Sequence, residues 1–99
     1  MATLSDIKIK ELGATGAVTT DGVAGILSYV FASGTKAGDK VEIKDGATTR
    51  ITMLIPADNG SVKFEPPKDE RPKFTTDIDC AITETTGAVT ATFIYREII

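Results

Sequence analysis

The stretch Thr86-Gly87-Ala88-Val89-Thr90-Ala91-Thr92-Phe93-Ile94-Tyr95-Arg96 decides the fold class. Val89, Ala91, Phe93 and Tyr95 recur at spacing two, with Thr90 and Thr92 between them. A period of two places alternate side chains on opposite faces of an extended chain, whereas a helix needs apolar positions at i, i+3, i+4 and i+7. β-Branched and aromatic residues suit the pleated surface. Thr86-Gly87, just before the run, is a turn signal.

The same grammar recurs along the chain and predicts strands over residues 4–10, 16–20, 26–32, 40–44, 49–55, 61–65, 76–84 and 88–96. In the first, Ile7 and Ile9 face one way and Lys8 and Lys10 the other. In the third, Leu27, Tyr29 and Phe31 share a face. Val41 and Ile43, Ile51, Met53 and Ile55, Val62 and Phe64, and Ile78, Cys80 and Ile82 form further pairs and triplets. The expected core is Val41, Ile43, Ile51, Met53, Ile55, Ile78, Cys80, Ile82, Val89, Ala91, Phe93 and Tyr95, with Leu27 and Phe31. Turns are expected at Ala37-Gly38-Asp39, Asp45-Gly46, Asp58-Asn59-Gly60 and Thr86-Gly87. Together these predict an all-β, single-domain antiparallel β-sandwich or jelly roll of about eight short strands spanning residues 1–99, with helix below about a tenth of the chain. Thr-Gly-Ala-Val-Thr occurs at 15–19 and 86–90, which reads as chance or as two strands entered by the same kind of glycine turn rather than a duplication.

Composition narrows the function classes. Ninety-nine residues, 41% hydrophobic and 25% charged, fit one globular domain and argue against disorder. A formal charge of −3 argues against a nucleic-acid partner. There is no His, so the commonest general base and metal ligand is missing. Cys80 is the one cysteine, which precludes an intramolecular disulfide or a thiolate zinc site, and its alternation with Ile78 and Ile82 makes it a small core residue. Residues 1–6 lack the regions of a signal peptide, and no apolar run approaches the ~20 residues of a membrane helix. A chain made in the cytoplasm and not inserted in a membrane is expected.

No phosphate-binding glycine loop and no nucleophile elbow is present. Asp77 and Asp79, two apart on a predicted strand, would share its outer face as a Ca²⁺ pair or simply as its solvated half. Asp58-Asn59-Gly60 looks like a fragment of a Ca²⁺ loop without the later ligands. Tyr29 and Tyr95 read as half-buried. The expectation is no catalytic residue, no cofactor and no metal.

Two surface features stand out. Glu65 is followed by Pro66, Pro67, Lys68, Asp69, Glu70, Arg71, Pro72 and Lys73. Proline cannot donate to a ladder, so 66–73 is a long surface loop, either a solvated connection or an arm contacting a partner. The closing strand is apolar on both faces, and Ile94, Ile98 and Ile99 are candidates for an oligomer interface.

Tyr29-Val30-Phe31-Ala32-Ser33-Gly34, Asp39-Lys40-Val41-Glu42-Ile43-Lys44-Asp45-Gly46, Gly60-Ser61-Val62-Lys63-Phe64-Glu65-Pro66 and the final Thr-Gly-Ala-Val-Thr-Ala-Thr-Phe-Ile-Tyr hairpin cover most of the chain. In this order they resemble the small all-β virion structural proteins of tailed bacteriophages: capsid decoration (cement) proteins and head or tail accessory proteins. The 66–73 loop is longer than that pattern carries. The resemblance implies a decoration protein on the virion capsid surface, bound to the major capsid protein or another virion protein. It also implies a homo-oligomer, a trimer before a dimer because decoration proteins often occupy three-fold lattice positions, and no catalytic residues. The alternative is a carbohydrate- or receptor-binding β-sandwich module of a phage tail or adhesin, which would want exposed aromatics from only four Phe and two Tyr.

Overall fold

A computed structural model describes residues 3–85 and 87–99. Its strands are β1 (Lys8–Leu12), β2 (Gly16–Ala17), β3 (Gly25–Gly34), β4 (Lys40–Asp45), β5 (Thr48–Leu54), β6 (Gly60–Phe64), β7 (Lys73–Phe74), β8 (Asp79–Thr83) and β9 (Val89–Glu97). They form two antiparallel sheets, as the alternation predicts. The larger runs β1-β9-β3-β6, with β7 also pairing β3, and the smaller runs β2-β8-β4-β5. The chain changes sheet at most connections; β4 and β5 form a hairpin turned at Gly46, whose φ of 61° suits glycine. No helix among the described residues is long and apolar enough to cross a membrane.

The core lies between the sheets. From the larger come Leu27, Val30, Ala32, Phe74, Val89, Ala91, Phe93 and Tyr95, and from the smaller Val41, Ile43, Met53 and Cys80, with Ile55 and Ile78 from the segments beside β5 and β8. Tyr95 is thus a core residue, whereas Tyr29 is half-buried as expected. Ile51 and Ile82, expected inside, are only partly buried against this cluster. Phe31, also expected inside, is 39% exposed. A β-bulge explains the last difference. Leu27 faces Tyr95 but Tyr29 faces Ile94, so Ser28 is an extra residue and the facing parity reverses across it. Leu27 points inward before the bulge and Val30 and Ala32 after it, turning Tyr29 and Phe31 outward.

The proline loop is shorter than the sequence suggests. Lys73 belongs to β7, which lies beside Gly25 and Ile26 of β3 and carries the fully buried Phe74. Within the loop, Lys68–Glu70 makes one 3₁₀ turn.

β1 inverts the usual amphipathic logic. Lys8 and Lys10 stand opposite Tyr95 and Phe93, on the inner side of the sheet, while Ile9 stands opposite Ile94 on the outer side. Lys8 Nζ reaches the buried Glu97 at 2.9 Å. The Thr20 N–H donates to the other Glu97 oxygen at 2.6 Å. The Thr20 amide and the Lys8 ammonium hold the Glu97 carboxyl below its ordinary value of 4.5.

Because the unfolded chain binds the Glu97 proton more tightly than the folded one, this contribution is present above pH 4.5 and is lost as pH falls through the lowered folded value. Denaturant midpoints across a pH series should therefore fall more steeply on acidification for the parent than for Glu97→Gln. Equal slopes would show that Glu97 is not held as a buried anion. Phe93→Ala should cost about 3–5 kcal/mol in the same titration.

Candidate functional site

Alternation in β9 and β3 leaves Ile94, Arg96, Ile26, Tyr29 and Phe31 on the outer face of the larger sheet. Ile9 extends this face across β1. Its N-terminal edge is uncovered, with Ile7 60%, Ile9 70% and Leu4 43% exposed, whereas Ile26, Tyr29, Ile94 and Arg96 are half-buried. The outer face of the smaller sheet is different. There Lys40, Glu42 and Thr52 project together with Leu54, which is 55% exposed, and Glu42 accepts from the Thr49 hydroxyl at 3.1 Å and pairs with Lys40 at 3.4 Å. Contiguous apolar side chains left in water are a common feature of surfaces at which proteins associate.

Two chain segments raise walls on this face. On one side the N-terminal segment is stitched to the end of the chain. Leu4 bridges to Ile98, the Thr3 N–H donates to the Ile99 carbonyl at 2.9 Å, and the Ile99 N–H donates back at 2.7 Å. On the other side the proline loop is tied down where the Leu27 N–H donates to the Pro72 carbonyl at 3.1 Å. Between the walls is a groove of about 490 Å³, with Ile26, Ser28, Ile94 and Arg96 from β3 and β9, Leu4 and Ile7 on one flank, and Lys68 and Arg71 on the other. A second depression of about 410 Å³ shares Ser28, Arg71 and Ile94 with it and continues to Tyr29, Glu65 and Pro66.

The structure thus brings together two features that the sequence kept apart, Ile94 and the loop residues Pro66, Lys68 and Arg71. Pro67, Asp69, Glu70 and Lys73 line neither depression. Ile98 is half-buried, its N–H donating to the Ala24 carbonyl at 2.8 Å, and Ile99 is 68% exposed. Leu4, Ile7, Ile26 and Arg96 were not singled out by sequence. Isoleucines alternating with lysines in β1 were the available signal, but nothing in the sequence said which of the two sets faced the core.

Charge is unevenly spent around the groove. Among the described residues, the ion pairs engage Lys8, Lys36, Lys40, Arg50 and Lys63, and none engages Lys68, Arg71 or Arg96. Glu65, at the far end, pairs with Lys63 at 3.4 Å.

Two of the three candidate metal carboxylates, Asp77 and Asp58, already accept from backbone amides. Asp77 is not on the outer face of a strand; it precedes β8 and is buried, accepting from the Gly46 N–H at 3.0 Å and the Gly22 N–H at 3.3 Å. Burial, then the adjacent Asp77 carboxyl, pushes the Asp79 carboxyl up. Asp58 accepts from the Ala37 N–H at 3.0 Å and so ties its turn to the neighbouring one at Ala37-Gly38. No cluster of three or more His, Cys, Asp or Glu suited to a metal is found among the described residues. Cys80 is buried, and desolvation pushes its thiol up to about 12, away from the reactive thiolate.

No protein-family model matches the sequence, and no curated protein shows significant similarity to it. The outer face therefore has to be interpreted from its own chemistry.

Ile9→Thr should unfold within about 0.5 kcal/mol of the parent, because its side chain already stands in water. Ile94→Thr, at a half-buried position, should cost more. A loss above about 2 kcal/mol at Ile9, the size expected of a core truncation, would show that this face is covered in the isolated protein.

Proposed function

We propose that this protein is a docking module that binds another protein through the outer face of its larger sheet. More specifically, we propose that it is a tailed-phage virion protein that decorates the capsid lattice. The observation that carries the docking reading is an apolar face on which Leu4, Ile7 and Ile9 stand exposed beside the half-buried Ile26 and Ile94. Burying an isoleucine is worth about 1.5–3 kcal/mol, so a few of them offset much of the entropy lost on association. The face is built on β-strands, so a partner meets a preformed surface and little ordering cost is added. The virion assignment draws on the resemblance described above. In that reading the protein is made in the host cytoplasm, ends on the capsid surface against the major capsid protein, and self-associates, as a trimer, through Ile98 and Ile99.

Electron microscopy and composition analysis of particles made with and without the gene test the virion assignment. The protein should copurify with particles and add density to the capsid surface; its consistent absence from them would end the assignment. On such particles Ile9→Lys should reduce occupancy while leaving the isolated domain folded. Removal of Ile98 and Ile99 should shift the free protein toward monomer in sedimentation. An unchanged sedimentation coefficient would take the terminal isoleucines out of the interface.

A further inference from the structure

We infer that the groove between the N-terminal segment and the proline loop receives an extended acidic segment of a partner protein. Apolar side chains of that segment would rest on Ile26 and Ile94, and its carboxylates would meet Arg71, Arg96 and Lys68. This deepens the docking reading above and rests on it only in taking the partner to be a protein.

Charge complementarity carries the inference. The chain as a whole is acidic, at −3, yet three cations converge on one apolar groove and none has an ion-pair partner among the described residues. Two of them are arginines, whose planar fork matches a carboxylate through two parallel hydrogen bonds. Against an apolar floor such pairs are less screened than on an open surface.

The shape sets the length and pattern of the occupant. From Leu4 and Ile7 the groove crosses β9 and β3 toward Lys68 and Arg71. Adjacent strands lie about 4.8 Å apart, so the crossing is about 10–15 Å, the span of about four extended residues. An extended segment alternates its side chains, so apolar residues can face the floor while neighbouring Asp or Glu reach the rims. The adjoining depression beyond Ser28 and Arg71 leaves room for the segment to continue past Tyr29.

Selection of a random-peptide display library on the full-length protein tests this. Enriched sequences should carry apolar residues interleaved with Asp or Glu. A synthetic peptide of that sequence should bind the parent, weaken as salt rises, and lose about tenfold in affinity with Arg71→Ala and again with Arg96→Ala. Arg71→Lys should keep part of the lost affinity, since it retains the charge without the fork. Arg71 is exposed and Arg96 half-buried, so denaturation midpoints can confirm that both variants stay folded.

The inference is overturned if enrichment fails or yields peptides without acidic residues, or if affinity ignores both arginine variants. It also falls if a single-stranded oligonucleotide binds the groove more tightly than the peptide. Self-association of the free protein that is abolished by Arg71→Ala would give the groove to a second copy and overturn it equally. The selection needs no particles, so a protein never found on virions leaves the peptide result standing. Particle binding that is indifferent to both arginine variants removes the groove and keeps the virion reading.

Discussion

The ladder between β3 and β9 is the constraint on which the larger sheet depends. These strands run alongside each other from Gly25 opposite Glu97 to Gly34 opposite Val89, and β1, β6 and β7 all attach to one or the other. The single extra residue at Ser28 divides the ladder into two halves of opposite parity. On one side of it Leu27 fills the core and Ile26 faces out; on the other Val30 and Ala32 fill the core and Tyr29 and Phe31 face out. The reversal places Tyr29 and Phe31, rather than Val30 and Ala32, on the outer face.

The smaller sheet and its turns are held by carboxylates acting as hydrogen-bond acceptors. Asp45 accepts from the Thr75 N–H at 2.9 Å and the Thr76 N–H at 2.8 Å, while Asp77 accepts in return from the Gly46 N–H, next to Asp45. Asp39, fully buried, accepts from the N–H and hydroxyl of Thr85 at 3.1 and 2.8 Å. Threonines assist: the Thr19 hydroxyl oxygen accepts from the Ile78 N–H at 2.9 Å. A domain without disulfides gains order from such closures, each satisfying backbone groups in a turn that no ladder reaches. Asp39, Asp45 and Asp77 are thereby committed to holding turns.

Much of this was legible in the sequence because period-two patterning reports strands directly. β4 and β9 behave as their alternation says, down to the buried Val41, Ile43, Val89, Ala91 and Phe93. Failures came where one residue changes parity or where the partner decides the face. The bulge at Ser28 carries no glycine or proline to announce it, so Phe31 was placed inside. Phe74 falls between the proline-rich stretch and the strand expected over 76–84 and was assigned to no strand, though pairing with Gly25 buries it completely. Asp77 read as a strand residue because it keeps step with Asp79, while in the fold its two oxygens are claimed by Gly46 and Gly22. Of the groove, Ile94 and the loop residues Lys68 and Arg71 could be seen in advance; their meeting is a long-range fact that no local pattern contains.

The pairing of β1 with β9 also governs when the protein can fold. Lys8 and Glu97, joined at 2.9 Å, are 89 positions apart, and β3 too takes its main partner from β9. During synthesis at a ribosome, β1 and β3 emerge long before the strand that joins them. Until β9 arrives, the β4–β5 hairpin is the main antiparallel pair with a short connection. In that interval Ile7, Ile9 and the apolar run of β3 are exposed together, a window in which chaperone binding competes with misassembly. Lys8 and Lys10, flanking Ile9, then serve a second purpose, keeping the waiting strand soluble before either has met its place in the sheet.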